Sequence, residues 1–265
     1  MAMGPRWFCS SWLKSRAIAE HYKSIVAYDG TEFHGFQRQV ATERTVQGVL
    51  EAALYELGWI GTSIRAAGRT DRGVHASGQV VAYALDWSHG LEKLTTALNA
   101  HLPRDVAVRS TEVVPADFEP RFSAIRRRYV YRVLADPNRD PLKERTMWRV
   151  WPEPDFDRLQ GTAQMFLGRR DFGAFGRAPI PEGHTVRTIS KADWQRKGAE
   201  LCLTLEADAF LYRMVRRIVG ANMQVGRGKA KAEDVERSLS DPAHQWAGRL
   251  APPNGLSLEA VYYEA

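Results

Sequence analysis

Cysteine is nearly missing from this chain: Cys9 and Cys202 are the only two in 265 residues, and no Cys-x-x-Cys pair or histidine cluster has the spacing of a zinc site. This scarcity excludes a disulfide-stapled scaffold and a zinc-held fold, and fits a reducing, cytoplasmic setting. Long hydrophobic runs are missing too, since no stretch approaches the roughly 18 apolar residues of a membrane helix. Residues 1–20 mix Trp, Ser, Arg and Lys without a continuous apolar core, so they read as an N-terminal extension and not as a signal peptide. Acids are absent from Ala209 through Ala232, a stretch that holds Arg213, Arg216 and Arg217. Those arginines face solvent or need a carboxylate or phosphate supplied from elsewhere.

Hydrophobic residues make up 44% of the chain, enough for a proper core. The net charge of +6 favours a polyanionic partner. Residues 22–28 read as a strand closed by the Asp29-Gly30 turn. Thr45 is a good N-cap, and Val46, Val49, Leu50, Ala53, Leu54 and Leu57 recur at helical spacing before Gly58. Residues 64–85 hold two strands around a loop, Leu91, Leu94, Leu98 and Leu102 mark a helix stopped by Pro103, and 106–114 form another strand. That order suits an α+β fold, with an antiparallel or mixed sheet and helices on one face.

A change of character at 115–120 separates a first half, 21–120, from a second, 121–265, which repeats the element order without a sequence repeat. The second half holds a strand over 127–134, a helix capped by Asp155, a hairpin over 188–196 and 201–207, a helix over 210–226 and a closing strand over 258–263.

The candidate chemistry lies in Gly68-Arg69-Thr70-Asp71-Arg72-Gly73-Val74-His75-Ala76-Ser77-Gly78-Gln79-Val80. Three glycines break any periodic pattern, and a buried strand follows at once. A tight loop thus presents one carboxylate, Asp71, with Arg69 and Arg72 beside it as ready partners for its charge. By itself, Thr-Asp-Arg-Gly is also an ordinary turn. The loop has neither the Gly-Lys-Ser/Thr of a P-loop nor an Asp-x-Asp cation pattern, so metal help is not expected.

Aromatic and basic residues interleave in two further places. Phe33 and Phe36 lie among Gln37, Arg38 and Gln39, where exposed rings would suit RNA and buried ones would plug the core. In the strand over 127–134, Tyr129, Tyr131 and Val133 share one face, and Arg128, Val130, Arg132 and Leu134 the other. An open Tyr129 could stack on a base while nearby arginines take phosphates.

Gly-Arg-Thr-Asp-x-Gly-Val-His-Ala with Gly-Gln-Val resembles the active-site loop of the TruA family of tRNA pseudouridine synthases. Arg121-Phe122-Ser123-Ala124 with Arg128-Tyr129-x-Tyr131 resembles its second motif. Phe210-Leu211-Tyr212-x-Met214-Val215-Arg216-x-Ile218-Val219-Gly220 resembles its third. The resemblance runs from Tyr22 to the C-terminus, and it implies a pseudouridine synthase fold of two similar α/β halves around a central cleft. It also implies a homodimer that isomerises uridines 38, 39 and 40 of the tRNA anticodon stem-loop without cofactor or metal. On this likeness Asp71 is the catalytic nucleophile, Arg69 enters the RNA in place of the flipped base, and Arg216 pairs with Asp71. Tyr129 stacks on the target uracil, with Phe210 and Leu211 against it. The family more often has a small residue where this chain has Arg72.

Overall fold

The computed structural model describes residues 19–39, 43–178, 180, 182–241 and 244–264. The expected N-terminal extension lies outside them up to residue 18. Alternation builds the first strand, β1 (Glu20–Tyr28): Tyr22, Ser24, Val26 and Tyr28 are buried on one face, while His21, Lys23, Ile25 and Ala27 keep some exposure on the other. Thr45 caps α1 (Val46–Glu56), its hydroxyl accepting from the Gly48 N–H at 3.3 Å. There follow β2 (Arg65–Ala66), β3 (His75–Leu85), α2 (Leu91–His101) and β4 (Val106–Val113).

The second half runs through β5 (Ala124–Ala135), β6 (Trp148–Val150), α3 (Phe156–Gln164), β7 (Gly168–Asp171), the hairpin β8 (Val186–Lys197) and β9 (Glu200–Ala207), α4 (Met214–Gly226), α5 (Ala232–Ser240) and β10 (Leu256–Tyr263). Asp155 caps α3 through the Arg158 N–H. On β9, Leu201, Leu203, Leu205 and Ala207 are all buried, as the alternation predicts.

The strands join into one ten-stranded sheet in the order β4-β1-β3-β10-β5-β9-β8-β7, with β2 on β3 and β6 on β5. Most pairs are antiparallel; β10 with β3 and β5 with β6 are parallel, which makes the sheet mixed. The last strand thus lies between the two halves, bonded to β3 on one edge and β5 on the other. Two hydrophobic clusters cover the sheet. One joins Tyr22, Val26, Leu50, Leu54 and Leu94 to Leu258. The other joins Tyr131, Val133, Leu159, Leu203 and Ile218 to Leu256. Tyr129 packs against both.

The structure settles one open reading, changes a second and adds elements that the sequence did not mark. Phe33 and Phe36 are both buried, so they plug the first core and offer no ring to a base. The helix expected from 210 starts at Met214, because the Tyr212 N–H and carbonyl pair with Arg177 across an isolated bridge and cannot join a helix. The chain turns at Arg213 with φ 62°, in the left-handed region. Finally, α5, β6 and β7 went unread. The short α5 buries only Val235, Ser238 and Leu239, too few apolar residues to show a period. Among the described residues no helix is long and apolar enough to cross a membrane.

Candidate active site

A cleft of about 1400 Å³ opens between the two halves, lined by residues of the 68–74 loop, by Tyr129 and by 209–216. The loop is held from several sides. The Gln79 side-chain amide donates to the Gly68 carbonyl at 3.0 Å, and the Thr70 and Tyr28 hydroxyls bond at 2.8 Å. The Phe36 N–H donates to Thr70 O at 3.1 Å, and Val74 N–H closes a turn onto Asp71 O at 3.1 Å. At Gly73, φ is 76°, a conformation that favours glycine.

Asp71 lies in that turn with 20% of its side chain exposed. Its partner is Arg216, 12% exposed in the first turn of α4, whose Nη1 donates to Asp71 Oδ2 at 2.8 Å. Arg216 Nε donates to Ala251 O at 2.8 Å, so the guanidinium is fixed at two points. The local cations expected to serve Asp71 do not. The turn sends Arg69 and Arg72 outward, where both are exposed on the cleft wall and neither pairs with an acid among the described residues. The acid-free stretch 209–232 therefore receives its carboxylate from the other half of the chain.

Tyr129 keeps part of its surface open and meets Phe210 edge to face at 5.1 Å between ring centroids. A Cβ built on Gly68 would lie 4.0 Å from Tyr129 Oη, so the phenol faces the Asp71 loop. Burial pushes the Tyr129 hydroxyl above the usual phenol range and keeps it protonated. Leu211 is buried in the cleft floor and Phe210 half-buried beside it. The structure thus brings Asp71, Arg216, Tyr129, Phe210 and Leu211 to one cleft, with Arg69 on its rim.

Sequence reasoning placed phosphate-binding arginines on β5, but most of these already have carboxylate partners. Arg126 and Arg128 both pair with the buried Glu206, at 3.1 and 2.6 Å, and Arg132 pairs with Glu259 at 3.0 Å. Alternation puts them on the face opposite Tyr129. The cleft instead holds Arg127 and Arg187, which sequence reasoning did not single out. Arg127 is bound by main-chain carbonyls, and Arg187 by carbonyls and the His184 ring. No local signal marks them, since Arg126 and Arg128 flank Arg127 in sequence and are paired, and Glu182 lies close before Arg187. Among the described residues no three His, Cys, Asp or Glu side chains are grouped to hold a metal ion.

A carboxylate paired with a fixed guanidinium beside a half-open tyrosine, in a cleft rimmed by arginines, makes an enzyme-like site suited to an anionic substrate. The family model for tRNA pseudouridine synthase matches residues 25–123 and 162–264. A tRNA pseudouridine synthase A from Halalkalibacterium halodurans is 42% identical over 87% of this chain and 88% of its own length. One from Methylobacterium sp. is 41% identical over 91% and 97%, and one from Clostridium botulinum 36% over 91% and 98%. The chain belongs to the TruA family of tRNA pseudouridine synthases and is an isomerase.

Proposed function

We propose that this enzyme converts uridine to pseudouridine at positions 38, 39 and 40 of the tRNA anticodon stem-loop, as a cytoplasmic homodimer, with Asp71 as the catalytic nucleophile. The observation that carries the assignment is the Asp71–Arg216 ion pair at 2.8 Å, facing Tyr129 across the cleft. Isomerisation breaks the N1–C1′ bond and forms C5–C1′, and the proton that leaves C5 is matched by one gained at N1. Atoms and electrons balance within the nucleotide, so no cofactor or metal is called for. A carboxylate can act covalently on such a substrate, and Arg216 holds that of Asp71 in place.

The target base must first leave the stack, at roughly a few kcal/mol. Stacking on Tyr129, flanked by Phe210 and Leu211, and entry of the exposed Arg69 into the vacated space offset that cost. Phosphate contacts along the basic cleft supply affinity with little sequence choice.

The test is pseudouridine formation in unmodified tRNA with EDTA present, comparing wild type with a folded, tRNA-binding Asp71→Ala protein and mapping the modified positions. Product from the wild type alone, at 38 to 40, supports the reading. Equal product from both proteins would remove Asp71 from the chemistry, and product elsewhere in the tRNA would move the target.

A further inference from the structure

Phe122 is 79% exposed on the wall of the cleft, and its exposure is built into the fold. It lies on a turn closed by the Phe122 and Ser123 N–H groups, which donate to Glu119 O at 3.1 and 2.9 Å. Beneath the turn, Arg127 brackets it: one guanidinium nitrogen donates to Ala124 O at 2.9 Å and another to Arg121 O. The same side chain reaches Asp208 O at 2.6 Å, at the root of the segment that carries Phe210. A large apolar ring is therefore displayed on a pinned turn, tied to the loop beside the target pocket. A turn of this kind gives the ring no path into the core.

The charges around Phe122 indicate what covers it. The Arg121 guanidinium lies 5.5 Å from the ring centroid, and neither Arg121 nor Arg127 has an acid within ion-pair distance among the described residues. Across the cleft, Arg177, Arg187 and Arg213 also have no acid partner among the described residues. The strand arginines on the opposite face, by contrast, are paired with Glu206 and Glu259. An aromatic ring among unpaired guanidinium groups matches a nucleotide, with its base on the ring and its phosphates on the cations.

We propose that Phe122 is a second base-stacking platform, which takes an unpaired base next to the target uridine, and that Arg127 is its positioning residue. This rests on the reading of the cleft as the tRNA site. Phe122 makes no contact with the reacting uridine, so its effect falls on substrate capture.

The test measures pseudouridine formation on an anticodon stem-loop transcript under steady-state conditions. Phe122→Ala and Phe122→Leu should raise KM about tenfold, the size of one lost base stack, with kcat within about twofold of wild type. Phe122→Trp should restore the wild-type KM, because an indole stacks and a leucine does not. Arg127→Gln should show the same KM defect and add little to Phe122→Ala in the double variant. An abasic nucleotide beside the target should erase the difference between wild type and Phe122→Ala.

A Phe122→Ala enzyme with wild-type KM overturns the proposal, as does a Phe122→Leu enzyme that matches wild type. A shift of Phe122→Ala to a smaller species on size exclusion also overturns it, because a second copy of the chain would then be the occupant. An inactive wild type would instead bring down the reading of the cleft itself, so the two failures are distinguishable. Thermal melting of each variant confirms that the fold is intact.

Discussion

Arg216 Nη1 donates to Asp71 Oδ2 at 2.8 Å across 145 positions of sequence, while its Nε is held by Ala251 O. One guanidinium therefore joins the loop before β3, the first turn of α4 and the segment before β10. Arg216→Lys should separate these tasks, because a single ammonium cannot meet both acceptors in the same plane. The expected result is a fall of about 100-fold in kcat/KM, the scale on which one preorganised charged donor acts, with tRNA affinity within about twofold. Single-turnover pseudouridine formation and filter binding measure the two. A Lys variant of full activity would show that charge alone is enough and that the fork geometry has no role.

The same loop depends on a residue that performs no chemistry. A Cβ at Gly30 would lie 2.0 Å from the carbonyl oxygen of Val74, so the Asp29-Gly30 turn fits against the loop only because that side chain is missing. Val74 is bonded through its N–H to Asp71 O, and any shift of its peptide moves Asp71. Gly30→Ala should destabilise the protein by about 1–3 kcal/mol, the usual scale of overpacking. The surviving folded fraction should be less active than wild type. Urea unfolding with activity measured at full folding tests this, and a stable variant of normal activity would show that the loop tolerates the shift.

The motif loop, α1, both hairpin strands and the arginine helix were legible because each carries a local signal: a cap, a period or a cluster of glycines. The partnership of Asp71 was legible only through the family likeness, which pointed to Arg216; the residues beside it in sequence, Arg69 and Arg72, point away, and it is the sheet order that brings Arg216 to it. The fate of the β5 arginines was illegible for the same reason. Glu206 sits on the neighbouring strand in register with Arg128, a pairing that no window of sequence contains. Phe33 and Phe36 were open to either reading. Glutamines and arginine around them gave a polar setting, but the loop folds inward to fill the core over Tyr28.

His75 should make stability depend on pH. It is buried where β3 begins, accepts the Gly30 N–H at Nδ1 at 3.0 Å and lies 3.2 Å from Asp29 Oδ1. Burial pulls the ring below the ordinary histidine value of 6.5, against the opposing pull of Asp29. The unfolded chain then binds a proton that the folded chain refuses. The stability tied to His75 is full above about 6.5 and falls as the pH drops below it. Asp29 acts in a lower window. Burial pushes its carboxyl up, but hydrogen bonds from Thr31 and Arg145 outweigh this and hold it below 3.8. His75→Asn keeps an acceptor for Gly30 without a titrating ring. Between pH 6.5 and 5 its melting temperature should fall less steeply than that of wild type, and equal slopes would assign the acid sensitivity elsewhere.

Glu206 offers a change that should lower stability and spare catalysis. Its side chain is 6% exposed and holds Arg126 and Arg128, which are 42% and 40% exposed, on the face of the sheet away from Tyr129. Glu206→Gln leaves both guanidinium groups without their carboxylate. Loss of a fully buried pair costs about 3–5 kcal/mol, but these arginines can turn to water, so about 1–2 kcal/mol is expected. Because these arginines are already engaged by Glu206, wild type should show no tRNA contact there. The salt dependence of tRNA binding should therefore keep its slope in Arg128→Gln. Removing a real phosphate contact would lower that slope by about 0.7–0.9. A loss of that size in Arg128→Gln would mean that the RNA reaches around the sheet to the face opposite the cleft.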